Sequence, residues 1–191
     1  RTAVENAEEA VYEEKKMEEM EVCFLMDRFG YMKLIDKNAY ERNKEAVHNE
    51  NKYVFNCMNT DKICIFTDTG KMHTIKAVDI PLGRFRDKGT PMENLSNYDS
   101  SQERMLYVAP VGQLRSDRLL FVTKTSMCKL VEGAEFDVAK RTIASTKLAD
   151  EDELIFIGSA SEMEQIVLQS HGGCFLRFLT QEVSTMKKTA L

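Results

Sequence analysis

Lysine and arginine recur in this chain at places where they could meet a row of phosphates. Four times an apolar run passes through a tight turn to a basic or histidine residue. The copies run Val22 to Lys33 through Gly30, Ile63 to His73 through Gly70, Leu119 to Lys129 through Ser126, and Ile166 to Arg177 through Gly172-Gly173. Counted to Gly172, the turn residues stand 40, 56 and 46 positions apart. The hairpin cations are Arg28, Lys33, Lys71, Lys76, Lys124, Lys129 and Arg177. A second set follows each hairpin: Arg42 and Lys44; Arg84, Arg86 and Lys88; Lys140 and Arg141; Lys187 and Lys188. Phosphate contacts by such side chains position a duplex without reading its sequence. The second set is the stronger candidate, because its bases are clustered and recur once per unit.

Other chemistry finds little support. His48, His73 and His171 lie far apart, and no motif ties them to a Ser, Cys or Asp nucleophile. No Gly-rich phosphate loop and no metal-ligand spacing stands out. Cys23, Cys57, Cys64, Cys128 and Cys174 are odd in number and form no CxxC pair, which reads as free thiols in a reducing compartment. The eleven methionines read as core filling.

Elements must hold these cations, and a repeat of 40 to 56 residues points to stacked or radial units. Eleven strands are expected: Val22–Met26, Tyr31–Ile35, Tyr53–Met58, Ile63–Thr67, Lys71–Lys76, Met105–Ala109, Leu119–Thr123, Met127–Val131, Leu154–Gly158, Gln165–Gln169 and Cys174–Leu179. They are rich in Val, Ile, Phe, Tyr and Thr. Gly30, Gly70 and Gly172 or Gly173 supply the positive φ of the turns, and Ser126 departs from that rule. About four strands fall in each unit, the count of a propeller blade. The units are approximately 22–58, 62–109, 118–158 and 164–191. Residues 1–21 read as an acidic linker or short helix, with Thr2 and Glu5 at capping-box spacing.

The 191 residues are 43% hydrophobic and 30% charged, enough for one sizeable core or two small ones. Net charge is −5, but residues 1–21 hold eight of the 31 acidic and three of the 26 basic side chains. Residues 22–191 therefore carry 23 of each, and a basic face depends on where those 23 cations sit. No apolar run reaches the roughly 20 residues that span a bilayer, and no signal segment opens the chain. The expectation is a soluble, cytoplasmic protein, and a start at Arg1 reads as a piece of something longer.

At Thr67-Asp-Thr-Gly70-Lys-Met-His-Thr-Ile-Lys76, and on to Ile80-Pro81 and Arg86-Asp-Lys-Gly89, the sequence resembles the C-terminal domain of the A subunit of bacterial type IIA topoisomerases. The resemblance covers residues 22–191. It implies an all-β fold, a β-pinwheel whose four-stranded blades exchange strands with their neighbours, with about four blades here. It implies a monomeric, nucleoid-associated domain that binds and bends duplex DNA along its rim. Its partners would be the rest of the A subunit together with the ATPase B subunit. ATP and Mg2+ would serve other domains of the parent enzyme, with no cofactor in this one.

Gyrase A subunits carry a Gly- and Arg-rich box after the first hairpin. Here the matching stretch, Tyr40-Glu-Arg-Asn-Lys-Glu-Ala-Val-His48, has no glycine, which resembles topoisomerase IV and implies decatenation and relaxation. The family's catalytic tyrosine follows an arginine, and none of Tyr12, Tyr31, Tyr40, Tyr53, Tyr98 or Tyr107 does. The expected cation rim is Arg42, Lys44, Lys71, Lys76, Arg84, Arg86, Lys88, Lys129, Lys140, Arg141, Arg177, Lys187 and Lys188. A protein-interaction propeller without DNA is the alternative, and the acidic loop Asp150-Glu-Asp-Glu153 fits it.

Overall fold

Ile63 and Ile65 leave their strand on one side, Cys64 and Phe66 on the other, and all four are fully buried in the computed structural model. Side chains alternate along a strand, so a sheet apolar on both faces must be covered on both. The two pairs do belong to separate cores. Ile63 and Ile65 pack with Val22, Phe24 and Leu34, while Cys64 and Phe66 pack with Leu119, Phe121 and Val131. Sheets stacked face to face follow from that pattern.

The structure describes residues 18–190, so most of the expected N-terminal linker lies outside the described residues. The first unit has strands β1 (Glu21–Met26) and β2 (Tyr31–Asp36), helices α1 (Lys37–Arg42) and α2 (Lys44–Glu50), and β3 (Tyr53–Met58). The second has β4 (Lys62–Thr67), β5 (Lys71–Lys76), β6 (Thr90–Pro91) and β7 (Met105–Pro110). The third has β8 (Arg118–Thr123), β9 (Cys128–Glu132), β10 (Thr142–Ala144) and β11 (Leu154–Ser159). The fourth has β12 (Gln165–Gln169) and β13 (Phe175–Leu179).

These strands form four antiparallel sheets ordered β3-β1-β2-β6, β7-β4-β5-β10, β11-β8-β9 and β12-β13. The last strand of each of the first two sheets comes from the next unit. Thr90 pairs with Met32, and Ile143 pairs with Met72. The third sheet gains a bridge from Thr185 to Leu130. The expected all-β fold of propeller-like blades with exchanged strands is the fold observed.

Two parts differ from the sequence reading. Residues 37–50 are helical. Asp36 caps α1 by accepting the Ala39 N–H at 2.8 Å, and Ala39, Tyr40 and Val47 lie over Cys23, Leu25 and Ile35. The helix pair therefore covers the outer face of the first sheet instead of sending a strand elsewhere. On the fourth sheet Val167, Phe175 and Leu176 stand exposed. The second difference is register. Gly30, Gly70, Ser126 and Gly173 hold the left-handed turn position, with φ from +67° to +84°. Since Gly173 and not Gly172 occupies it, the residue matching Lys33, His73 and Lys129 is Leu176. Arg177 is one residue out, and a one-residue slip places a side chain on the opposite face.

Candidate nucleic-acid interface

Each exchanged segment runs along the same edge of its sheet, beside β2, β5 or β9. Arg84, Arg86, Lys88, Lys140, Arg141, Lys187 and Lys188 of the second set ride on these segments, and Arg42 and Lys44 do not. Leu34 donates its N–H to Pro81 O at 3.0 Å and accepts the Gly83 N–H at 2.9 Å. Leu130 repeats the pattern with Ser184 O at 3.0 Å and the Met186 N–H at 2.7 Å. Thr74 donates to Arg141 O at 2.8 Å. Loop 84–89 bulges outward between two such anchors, carrying Arg84, Arg86 and Lys88 exposed. Asp87 closes the loop by accepting the Arg84 N–H at 2.7 Å. Gly89, at φ +82°, brings it back onto β2, where a Cβ would lie 2.5 Å from Met32 O. No other residue type fits that approach.

Lys33 and Lys129 hold these loops from beneath. The Lys33 ammonium donates to Phe85 O at 2.5 Å and Asp87 O at 2.6 Å. The Lys129 ammonium donates to Lys188 O at 3.3 Å and Ala190 O at 2.5 Å. Lys129 is only 7% exposed. Burial pushes its ammonium below the ordinary lysine value, and Lys33 moves the same way for the same reason, against the fields of Glu50, Asp87 and Asp27. The Lys129 donors are thus spent on backbone carbonyls, and its role here is to fasten the segment. In the second unit the position belongs to His73. Its Nε2 lies 2.9 Å from Glu103 Oε1 and its Nδ1 3.1 Å from Thr142 Oγ1. Burial keeps His73 below its ordinary value despite the opposing Glu103. Burial also opposes ionisation of Glu103, yet hydrogen bonds from Thr67 and Thr69, with His73 beside it, hold its carboxyl below the usual range.

The remaining candidates divide by position. Lys140, Arg141 and Lys187 are exposed on the exchanged segments, with Arg141 Nη2 donating to Leu95 O at 2.9 Å. Lys188 is half-buried, its Nζ donating to Glu135 O at 2.7 Å. Lys71 and Lys76 are exposed at the two ends of β5. Arg42 and Lys44 lie on the helix pair. Arg42 Nε donates to Asn38 O at 3.1 Å, and the Lys44 ammonium sits 5.9 Å from the Tyr40 ring centre. Arg177 is exposed on β13. Three clusters therefore share one edge of three successive sheets. Among the described residues, none of their exposed cations is in an ion pair. Lys37, Lys62, Arg104, Arg115 and Lys124 pair with carboxylates.

The acidic loop 150–153 turns to its neighbours. Asp152 accepts the Thr125 hydroxyl at 2.6 Å, and Glu153 pairs with Lys124 at 3.2 Å. Burial pushes the Cys57 and Cys64 thiols up to about 12. Among the described residues no group of three His, Cys, Asp or Glu side chains could hold a metal ion, and no helix is long and apolar enough to cross a membrane.

The family described as DNA gyrase C-terminal domain, beta-propeller matches residues 61–100, 117–161 and 164–191, the second to fourth units. The A subunit of DNA gyrase from Clostridium acetobutylicum is 26% identical across 100% of this chain and 24% of its own length. That of Lawsonia intracellularis is 25% identical, across 89% of this chain and 22% of its own. The chain spans about a quarter of the length of the curated relatives it matches. Among solved structures, the C-terminal domain of DNA topoisomerase IV superposes with a TM-score of 0.78 at 19% identity, covering 91% of this chain and 56% of that one. The E. coli ParC C-terminal domain gives 0.67 at 11% identity, over 88% and 69%. The DNA gyrase A C-terminal domain gives 0.51 at 17% identity, over 89% and 58%.

Proposed function

The chain belongs to the DNA gyrase C-terminal domain, beta-propeller family, and from that premise we propose that it binds and bends duplex DNA as a non-catalytic part of the A subunit of a type IIA topoisomerase. The observation that carries this reading is the row of unpaired cations on one edge of three successive sheets: Arg84, Arg86 and Lys88, then Lys140 and Arg141, then Lys187. Bending 20–30 bp by 40–90° costs on the order of 1–6 kcal/mol. Several phosphate contacts along a path can offset that, and repeated units supply them at regular steps. The loops are held from below by Lys33 and Lys129, so their cations meet the duplex without first ordering the backbone.

The duplex would be guided to a strand-passage core elsewhere in the same polypeptide, with the B subunit serving as the ATPase. We assign the activity to decatenation and relaxation. Residues 40–48 lack glycine and form helix rather than an open basic loop, which supports topoisomerase IV over a wrapping gyrase. The curated relatives carry the gyrase name, so the discriminating assay is negative supercoiling by the full A and B subunits together. Strong supercoiling would reverse the assignment. For DNA binding itself, filter binding of plain duplex at two salt concentrations is decisive. The reading requires weak affinity that falls steeply with salt. Absence of binding at low salt, or an affinity indifferent to salt, would overturn it.

A further inference from the structure

The first hairpin turn differs in charge from the second and third. Two residues before the left-handed position stand Arg28, Asp68 and Lys124. In the second unit Asp68 pairs with Arg104, the residue entering β7, at 3.6 Å. In the third unit Lys124 pairs with Glu153, the residue entering β11, at 3.2 Å. In the first unit β3 is entered by Asn51 and Lys52. The Asn51 amide is committed to Val47 O at 2.9 Å, so the residue entering the strand opposite Arg28 is a second cation, Lys52, and the nearby carboxylates of Asp27 and Glu50 pair with neither. Among the described residues neither Arg28 nor Lys52 is in an ion pair.

Between these cations stands Phe29, 73% exposed. Its equivalents are Thr69, Thr125 and Gly172, and both threonines spend their hydroxyls on carboxylates. The Asp27 carboxylate fixes the turn by accepting the Phe29 N–H at 2.8 Å and the Tyr31 N–H at 3.0 Å. Phe29 therefore projects from a rigid turn, with the Arg28 guanidinium 5.0 Å from its ring centre. Beside it opens a cleft of about 460 Å³ lined by Arg28, Phe29, Tyr31, Lys52, Tyr98 and Arg104. Glu93 also lines it, but its carboxylate accepts the Ser100 N–H at 2.9 Å.

We propose that this cleft binds a short single-stranded nucleic-acid segment, distinct from the duplex along the sheet edge. Cations interleaved with aromatic rings suit unpaired strands: phosphates take the charges, and exposed bases stack on the rings. A duplex keeps its bases stacked inside and would leave Phe29 unused. An acidic peptide would use Arg28 and Lys52 but not the rings. The Lys88 ammonium lies 4.6 Å from the Tyr31 ring centre, so the cleft adjoins the first edge cluster, and Phe29 is the ring left open for an unpaired base.

The chain has no tryptophan, so Phe29→Trp places a single reporter at the site. Titration with a dT8 oligonucleotide should give saturable quenching, whereas an 8-bp duplex, inorganic phosphate and a poly-Glu peptide should not. Adding Arg28→Glu and Lys52→Glu should weaken dT8 binding at least tenfold. In anisotropy with labelled DNA, Phe29→Ala should lower single-strand affinity and leave duplex affinity unchanged. The pair Lys140→Glu and Lys187→Glu should do the reverse. The proposal is overturned if dT8 fails to quench, if the poly-Glu peptide competes equally, or if Phe29→Ala affects both DNA forms alike. Should the double Glu variant lose its circular dichroism, the exposed Arg28→Ala substitution carries the same test.

Discussion

Lys129 and Lys187 lie on adjoining segments at the edge of the third sheet, one buried under the backbone and the other open to solvent. Lys33 and Arg86 make the same contrast at the first sheet. The inner cations donate to carbonyls of the exchanged segments, and the outer cations are carried by those same segments. A positive charge near an interface is thus poor grounds for assigning ligand contact. What decides is whether its donors are already committed.

The contrast breaks most sharply at Lys129. Replacing it with Met keeps the aliphatic stem but leaves Lys188 O and Ala190 O without their donor. Stability in urea should fall by about 2–3 kcal/mol, with a smaller loss for Lys33→Met, whose head is less enclosed. If Lys129→Met instead weakened duplex binding at unchanged stability, the division would be wrong. The combined change Arg84→Glu, Arg86→Glu and Lys88→Glu should do the opposite. Duplex affinity should drop at least about tenfold, and the salt slope should shrink by about three. The circular dichroism melt should stay within a few degrees.

A third test uses pH, because the second unit replaces lysine with His73. Folding favours neutral His73, and an unfolded histidine takes up its proton near about pH 6.5. Its contribution is therefore complete above that pH and is lost as pH falls below it. Glu103, held ionised by its partners, adds a loss in the same direction at lower pH. Lys71 is the other charge acting on this pair, and the Tyr98 ring packs edge-on against His73. Hydrogen exchange at the Thr74 amide should accelerate between about pH 7 and 5 relative to its intrinsic rate, while the Leu34 and Leu130 amides, beside lysines, should follow only the intrinsic pH trend. Uniform behaviour at the three amides would refute the separation. The smallest effect is expected at the helix pair. Arg42→Ala with Lys44→Ala should alter duplex affinity by about twofold or less, since both lie on the cap over the first sheet.

The strands read well because their signal is local: alternating or continuous apolar runs bounded by glycine turns. Eleven such runs coincide with strands to within about two residues at each end, as expected for element boundaries. β6 and β10 are not legible in the sequence. They are two and three residues long, one contains Pro91, and they exist only because a distant strand offers an edge. Analogy with the later units misleads at residues 37–50, although Asp36 before Ala39, Asn43 and Val47 carries a cap and a helical spacing. The candidate interface is legible as clusters, not as single residues. Lys129 and Lys187 have the same side chain, and only the path of residues 184–190 separates their roles. Arg177 falls out of place because Gly172-Gly173 offers two registers, and sequence alone does not choose between them.

Strand exchange also sets the order in which this protein can form. Met32 waits 58 residues for Thr90, Met72 waits 71 for Ile143, and Leu130 waits 55 for Thr185. During synthesis each hairpin therefore closes early and then stands with a bare edge until the following unit emerges, which slows completion. Such an edge invites pairing with any other nascent chain. Lys33, His73 and Lys129 sit on those three waiting strands. A charged or polar side chain there discourages an apolar stranger, and the segment that finally docks is the one whose carbonyls or hydroxyl can satisfy it. In the finished molecule the same residues hold the docked segments in place.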